Sequence, residues 1–235
     1  MTPHVRTTLT ILAVLAAAAP AAAQDRVLGL LSLPQVFGPR LCAPFEPEEI
    51  ALHASPNDGR PIAHIRVDQN WSFAPHGGCE GLEVSVHQGG QRHMLPTLEF
   101  DYEMPGAIVL EHRDGWFRIR SGARSAWLKA PLSGRFMPLT ELYEEFVGVT
   151  AIARSFTGQL SSTPSTAPGP IMPRVVAGQS VRVIESRDAW IRVEVLSNSA
   201  CTAADDGPPE VIATGWLPLH DSEGEPTVWF SSRGC

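Results

Sequence analysis

Hydrophobic and polar residues alternate most clearly in two segments of the chain, and these two segments repeat each other. Residues 109–120 are VLEHRDGWFRIR and residues 183–194 are VIESRDAWIRVE, and they align without a gap. The identical pairs are Val109/Val183, Glu111/Glu185, Arg113/Arg187, Asp114/Asp188, Trp116/Trp190 and Arg118/Arg192. In each copy the alternation is interrupted by Arg-Asp-Gly or Arg-Asp-Ala and then resumes, which indicates two antiparallel strands joined by a tight turn. The chain is therefore predicted to contain the same β-hairpin twice.

A short strand with a central tryptophan is predicted after each hairpin. Its sequence is S-A-W-L-K in residues 125–129 and T-G-W-L-P in residues 214–218. With V-L-E-H-R-D-G-W-F-R-I and V-I-E-S-R-D-A-W-I-R-V before them, these strands resemble bacterial SH3-like (SH3b) domains. The pattern of that family ends in V-x-E-x-x-x-G-W-x-x-V and a Gly-Trp-Val strand. The resemblance implies small β-barrels with Trp127 and Trp216 in their cores, and a non-catalytic role in binding cell-wall peptides or protein partners.

The predicted fold is all-β, with two tandem SH3-like small barrels in residues 48–132 and 139–229. In the first barrel, residues 50–65 supply an opening strand, a turn-rich loop and a second strand. Residues 68–99 are an insertion within this barrel. The insertion contains a predicted hairpin with its turn at Gly89-Gly90.

Two segments of the second half are predicted to lie outside the barrel strands. Residues 158–173 are rich in Ser, Thr, Pro and Gly, and this composition predicts a long mobile loop or linker. Residues 139–146 contain several glutamates near their start and predict a short helix that connects the two barrels. A strand edge is the alternative at this join, because the run from Val147 to Ile152 is typical of β-structure.

The N-terminal segment has the pattern of a cleavable secretory signal peptide. Arg6 lies near the start without any acidic neighbour, and residues 9–19 form an apolar run that is too short for a membrane span. Pro20 and small alanines follow, so residues 1–23 are predicted to be removed. The mature protein is expected in the periplasm or outside the cell, with residues 24–47 as an extended arm and residues 230–235 as a tail. No other segment is apolar enough to predict a membrane span.

Four cysteines, Cys42, Cys79, Cys201 and Cys235, are an even number in a chain that is predicted to be exported. This favours two disulfides over metal binding or redox chemistry, and the absence of a C-x-x-C motif agrees with that. Three pairings are possible. The separations favour local pairing, with Cys42 to Cys79 in the first half and Cys201 to Cys235 in the second.

Charge and motif spacing exclude several classes of function. The formal net charge of −7 argues against nucleic acid or anionic lipid as the partner. The histidines do not form H-x-H or H-E-x-x-H motifs, so no metal and no cofactor is predicted. These residues are His53, His64, His87, His93 and His112 among others.

No catalytic residue is predicted either. Cys79 follows His76 in a glycine-rich run, which has some similarity to a Cys-His peptidase, but a disulfide would remove the thiolate that this chemistry needs. Neither a G-x-S-x-G nor an S-x-x-K motif is present. An exported hydrolase that uses the insertion with its histidines and cysteine is retained as an alternative, as is a structural or assembly role.

Tryptophan is the residue type that most favours binding, since aromatic faces often anchor ligands. Trp116 and Trp190 open the strand after each turn, where half of the ring can remain exposed, and Trp71 lies in the insertion. These three are the candidate binding residues. The sequence therefore predicts an exported, non-catalytic binding protein for a cell-envelope protein or peptidoglycan.

Overall fold

A computed structural model describes residues 25–33, 49–73, 79–101, 104–130, 134–145, 149–167, 170, 172–198 and 208–231. The described part is mostly antiparallel β-strand with one short helix, which confirms the predicted all-β class. Residues 1–23, Cys42, Cys201 and Cys235 lie outside these ranges. The signal peptide and the disulfide pairing therefore stay predictions. No helix in the described ranges is long and apolar enough to cross a membrane.

Two sheets form what we name the N-terminal unit. The first sheet contains β1 (Gly29–Ser32), β6 (Thr97–Asp101), β7 (Met104–Arg113), β8 (Trp116–Ser121), β9 (Arg124–Lys129) and β10 (Phe136–Pro138). Its order is β10-β1-β7-β8-β9, with β6 also paired to β7. The second sheet, β2-β3-β4-β5, contains β2 (Ile50–Leu52), β3 (Ala63–Phe73), β4 (Cys79–Gln88) and β5 (Gln91–Met94). A bridge between His53 and Trp127 joins the two sheets.

The C-terminal unit, by our definition, starts at the helix that follows β10. It contains α1 (Leu139–Glu145), β11 (Val149–Ile152), β12 (Gly158–Gln159), β13 (Arg174–Val175), β14 (Ser180–Arg187), β15 (Trp190–Leu196), β16 (Val211–Pro218) and β17 (Val228–Ser231). The main sheet has the order β16-β15-β14-β11-β17, and β12 pairs with β13. In the described part neither unit closes into a continuous barrel. Since β17 runs to Ser231, the predicted tail of residues 230–235 begins within a strand.

The duplicated hairpins are confirmed, and they match in register as well as in sequence. Strands β7 and β8 pair Arg113 with Trp116, and β14 and β15 pair Arg187 with Trp190. In both hairpins the register shifts between the valine and the glutamate of the repeat. Both turns begin with an aspartate at positive φ, 52° at Asp114 and 50° at Asp188. Aspartate tolerates this left-handed conformation better than most residues, which explains its presence in both copies.

The hairpin predicted around Gly89-Gly90 forms, and the helix forms near its predicted position. Strands β4 and β5 pair Gln88 with Gln91, and both glycines of the turn have positive φ. Helix α1 ends at Glu145, and its Leu142 and Tyr143 side chains are buried. The strand-like sequence after the helix forms β11, so the join contains both a helix and a strand.

The segment predicted to be a mobile loop, residues 158–173, is anchored at its start. Strand β12 begins this segment, and the Leu160 side chain is buried. Ser161 exchanges two backbone hydrogen bonds with Trp216, at 2.9 and 2.8 Å. Leu160 stands among polar residues and gives no periodic signal, which is why composition alone misses this anchor.

The first sheet is buried on both faces at β1 and at the centre of β7, and this joins the two units. Leu31 and Val109 belong to the core of the N-terminal unit. Their neighbours Leu30 and Ile108 point to the opposite face and belong to the core that also contains Ile191 and other residues of the C-terminal unit. Strand β1, which lies in the segment expected to be an extended arm, is thus paired between β7 and β10 and packed on both sides.

Candidate functional site

The candidate tryptophans Trp116 and Trp190 occupy equivalent places at the start of β8 and β15, and both are half-buried. Trp116 packs edge-on against His53 with the ring centroids 5.2 Å apart. Within the described part of the chain, Trp190 has no aromatic neighbour. Trp71 lies in β3, and its side chain is not among those described. Trp116 and Trp190 lie on different units, and in the described part of the chain no contact joins their side chains.

Trp127 and Trp216 are packing residues, each with 6 % of its surface exposed. The Arg113 guanidinium lies 4.7 Å from the Trp127 ring centroid, and the Arg187 guanidinium lies 5.3 Å from that of Trp216. These are cation–π contacts, and they hold the turn of each hairpin against the following strand. The arginine of the repeat and the tryptophan of the strand that follows it thus stabilise the same contact in both copies.

A cleft of about 660 Å³ lies between the two units, and we name it the inter-unit cleft. From the N-terminal unit and the residues just before it, the lining side chains are Val27, Leu98, Ile108 and Arg120. From the C-terminal unit, the cleft is lined by residues 151–155, Gly178, Glu225, Pro226 and Trp229. Most of these side chains are apolar, so the cleft offers an apolar surface with a few charged groups.

The backbone on the C-terminal side of the cleft is held from both directions. Ala151 pairs with Trp229 across β11 and β17. The Ile152 amide donates to the Gln179 carbonyl oxygen, and the Ile152 carbonyl oxygen accepts from the Gly178 amide, both at 2.9 Å. The Ala153 amide donates to the Thr227 carbonyl oxygen, also at 2.9 Å. The wall formed by residues 151–153 is therefore fixed before any ligand binds.

The turn that carries Glu225 is shaped by local hydrogen bonds. The Asp221 carboxylate accepts from the backbone amides of Glu223 and Glu225, at 2.8 and 3.0 Å. Gly224 has a φ of +84°, and a Cβ there would lie 2.3 Å from the Asp25 carbonyl oxygen. Only glycine allows this approach, which lets the Val27 amide donate to the Gly224 oxygen at 3.0 Å.

One ion pair at the cleft joins the units, and a second arginine nearby binds the segment that precedes β1. The Arg120 guanidinium donates to both carboxylate oxygens of Glu225, and one of these hydrogen bonds is 3.3 Å long. Nearby, Arg118 donates to Asp25 at 2.7 Å and to Glu111 at 3.1 Å. The hydrogen bond from Arg118 lowers the pKa of Asp25 below its usual range, so this carboxylate stays ionised in moderately acidic solution.

Among the described residues, Ser85 and the histidines lie outside the lining of the cleft. In the insertion, the Ser85 hydroxyl and His87 Nε2 are 2.9 Å apart, but Ser85 is fully buried. His53 and His220 each have a ring nitrogen within hydrogen-bonding distance of a backbone carbonyl oxygen, at 2.7 and 2.6 Å. The described residues contain no group of three or more His, Cys, Asp or Glu side chains that could hold a metal ion.

The inter-unit cleft is not predicted from the sequence, although one signal for it exists. Residues 106–110, GAIVL, are continuously apolar, which is typical of a strand buried on both faces rather than of a hairpin with one solvated face. The second face of that strand packs toward the C-terminal unit.

A comparison with protein families, curated proteins and solved structures finds no match to this chain.

Proposed function

We propose that this chain is an exported, non-catalytic binding protein whose partner is a cell-envelope protein or peptidoglycan, and that the partner binds in the inter-unit cleft. The observation that carries this proposal is the cleft itself, with its volume of about 660 Å³. Ligand sites are typically clefts of about 300–1,000 Å³ with apolar walls and a few polar groups, and they often lie between domains.

The proposal that this protein acts in the cell envelope rests on the predicted signal peptide and on the resemblance to SH3b domains. Each half contains a three-stranded unit in which an arginine covers a buried tryptophan, and this equivalence supports a duplicated SH3-like module. Trp116 and Trp190 supply a half-buried aromatic surface on each copy, which can extend the contact with a large partner.

The test uses purified mature protein, intact peptidoglycan sacculi and immobilised envelope proteins. Ala153→Trp fills the cleft from a partly buried position, and Ala167→Trp makes the same change on an exposed loop outside it. We expect sacculi or one defined envelope protein to retain the wild type and the Ala167→Trp variant but not Ala153→Trp. A circular dichroism spectrum like that of the wild type shows that the variant still folds.

Two results would contradict the proposal. If no fraction retains the wild type, an envelope-binding role fails and a structural or assembly role gains support. If the Trp116→Ala/Trp190→Ala double variant loses retention while Ala153→Trp keeps it, binding occurs on the hairpin surfaces rather than in the cleft.

The rival function, an exported hydrolase, has one observation in its favour. The contact between Ser85 and His87 has the geometry of a nucleophile and its base. However, a fully buried hydroxyl cannot meet a substrate, so we expect no release of soluble fragments from peptidoglycan or peptides. Hydrolysis that disappears in a Ser85→Ala variant would support the rival function.

A further inference from the structure

Three charged side chains line the inter-unit cleft, and two of them neutralise each other. Arg120 donates hydrogen bonds to both oxygens of the Glu225 carboxylate, so the positive and the negative charge of this pair compensate each other. The third is Arg154, whose side chain is exposed. In the described part of the chain, Arg154 has no acidic partner. The cleft therefore offers one uncompensated positive charge beside apolar walls.

The backbone that carries this charge is held by hydrogen bonds, and the side chain itself is exposed. Arg154 directly follows Ala153, whose amide donates to Thr227, and Ile152 is hydrogen-bonded to both Gly178 and Gln179. The base of the Arg154 side chain is therefore anchored at the rim of the cleft. A guanidinium held in this way can form two parallel hydrogen bonds with a carboxylate.

We infer that the inter-unit cleft binds the carboxyl end of an apolar peptide, with the apolar side chains against Leu98, Ile108 and Trp229 and the carboxylate on Arg154. This inference rests on the proposed function, because a protein or peptidoglycan partner presents peptides. One free guanidinium matches a monoanion, and a cationic group would be repelled by Arg154. The apolar walls match the side chains that precede the carboxylate.

The experiment measures binding of a small probe by isothermal titration calorimetry. The probe is N-acetyl-Leu-Ala-Ala with a free carboxylate, and its carboxamide is the matched uncharged ligand. We expect the acid to bind at least about tenfold more tightly than the amide, because a hydrogen-bonded ion pair is lost in the amide. Added salt is expected to weaken the acid more than the amide.

The variant Arg154→Gln assigns the effect to one side chain. We expect it to weaken binding of the acid about tenfold or more and to leave binding of the amide unchanged, which is a coupling that a general structural change would not produce. Arg174→Gln, an exposed arginine on β13 outside the cleft, is the control and is expected to bind both peptides as the wild type does. Ala153→Trp is expected to abolish binding of both.

Two sources can supply this peptide end, and a second probe separates them. Wall peptides end in D-amino acids and protein chains end in L-amino acids. Tighter binding of the probe that ends in D-Ala assigns the cleft to wall peptides, and tighter binding of the probe that ends in L-Ala assigns it to the ends of protein chains. Equal binding of acid and amide, or equal weakening of both by Arg154→Gln, would overturn the inference. So would tight binding of decanoate without binding of either peptide.

Failure of the inference is distinguishable from failure of the proposed function. If neither peptide binds but sacculi or an envelope protein still retain the wild type and not Ala153→Trp, only the inference about the carboxylate is overturned. If retention is also absent, both fail.

Discussion

The sharpest prediction concerns the pair of adjacent leucines in β1, which point into different cores. Leu30 and Leu31 are both fully buried, Leu30 in the core shared with the C-terminal unit and Leu31 in the N-terminal core. Replacing a fully buried leucine by alanine costs about 3 kcal/mol or more. In a protein of this size that corresponds to a fall in Tm of roughly 6–12 °C.

We expect Leu30→Ala and Leu31→Ala to lower the same unfolding transition, because the first sheet links the two cores. Differential scanning calorimetry of the oxidised protein gives the number of transitions and their Tm values. Leu28→Ala is the matched control, since Leu28 is 38 % exposed and its truncation should cost only about 1 kcal/mol. Two separate transitions, with Leu31→Ala moving only one of them, would refute the link between the units.

Three further predictions concern a buried tyrosine, a turn and the cysteines. The Tyr143 hydroxyl donates to the Val228 carbonyl oxygen at 2.7 Å, so Tyr143→Phe should cost about 1 kcal/mol at neutral pH. Burial raises the pKa of Tyr143 above its ordinary value of about 10. The unfolded chain then loses its phenolic proton first, and stability falls as pH rises past about 10. The Tyr143→Phe variant should not show this loss. If the urea midpoints of the variant and the wild type fall by the same amount between pH 8 and pH 11, the reasoning is contradicted. Asp188→Gly should raise the free energy of unfolding by about 0.5–1 kcal/mol because of the positive φ at that position, and a loss of stability would contradict that geometry. Peptide mapping without reduction should link Cys42 to Cys79 and Cys201 to Cys235, and a disulfide between the two halves would exclude local pairing.

Sequence reasoning succeeds where the structural signal is local. Around Asp114 and Asp188, both strands and the turn between them lie within a dozen residues. The alternation therefore predicts the hairpin, and the position of the turn predicts its register. The predicted burial of Trp127 and Trp216 is also confirmed, and it follows from the resemblance of the strand next to each hairpin to the Gly-Trp-Val strand of SH3b domains. These features need no knowledge of distant pairing.

Long-range pairing is what the sequence does not specify. The apolar run of residues 27–33 does not alternate, and its pairing with residues 106–109 and 136–138 depends on the complete fold. The inter-unit cleft is not predicted from the sequence for a related reason. Its walls come from Leu98, residues 151–155 and the turn at Glu225, none of which is unusual by itself. The tryptophans attract attention as candidate ligand contacts, but aromatic content does not show which rings lie together.

The position of β1 between β7 and β10 has a consequence for the order of folding. This strand is the first described strand to be synthesised, yet its neighbours begin pairing only at Gly106 and Phe136. Closing such long loops is entropically costly and slows folding. The shared core is complete only when Val228 has emerged as well. We therefore expect an N-terminal fragment that stops before β7 to leave its first strand exposed and prone to aggregation.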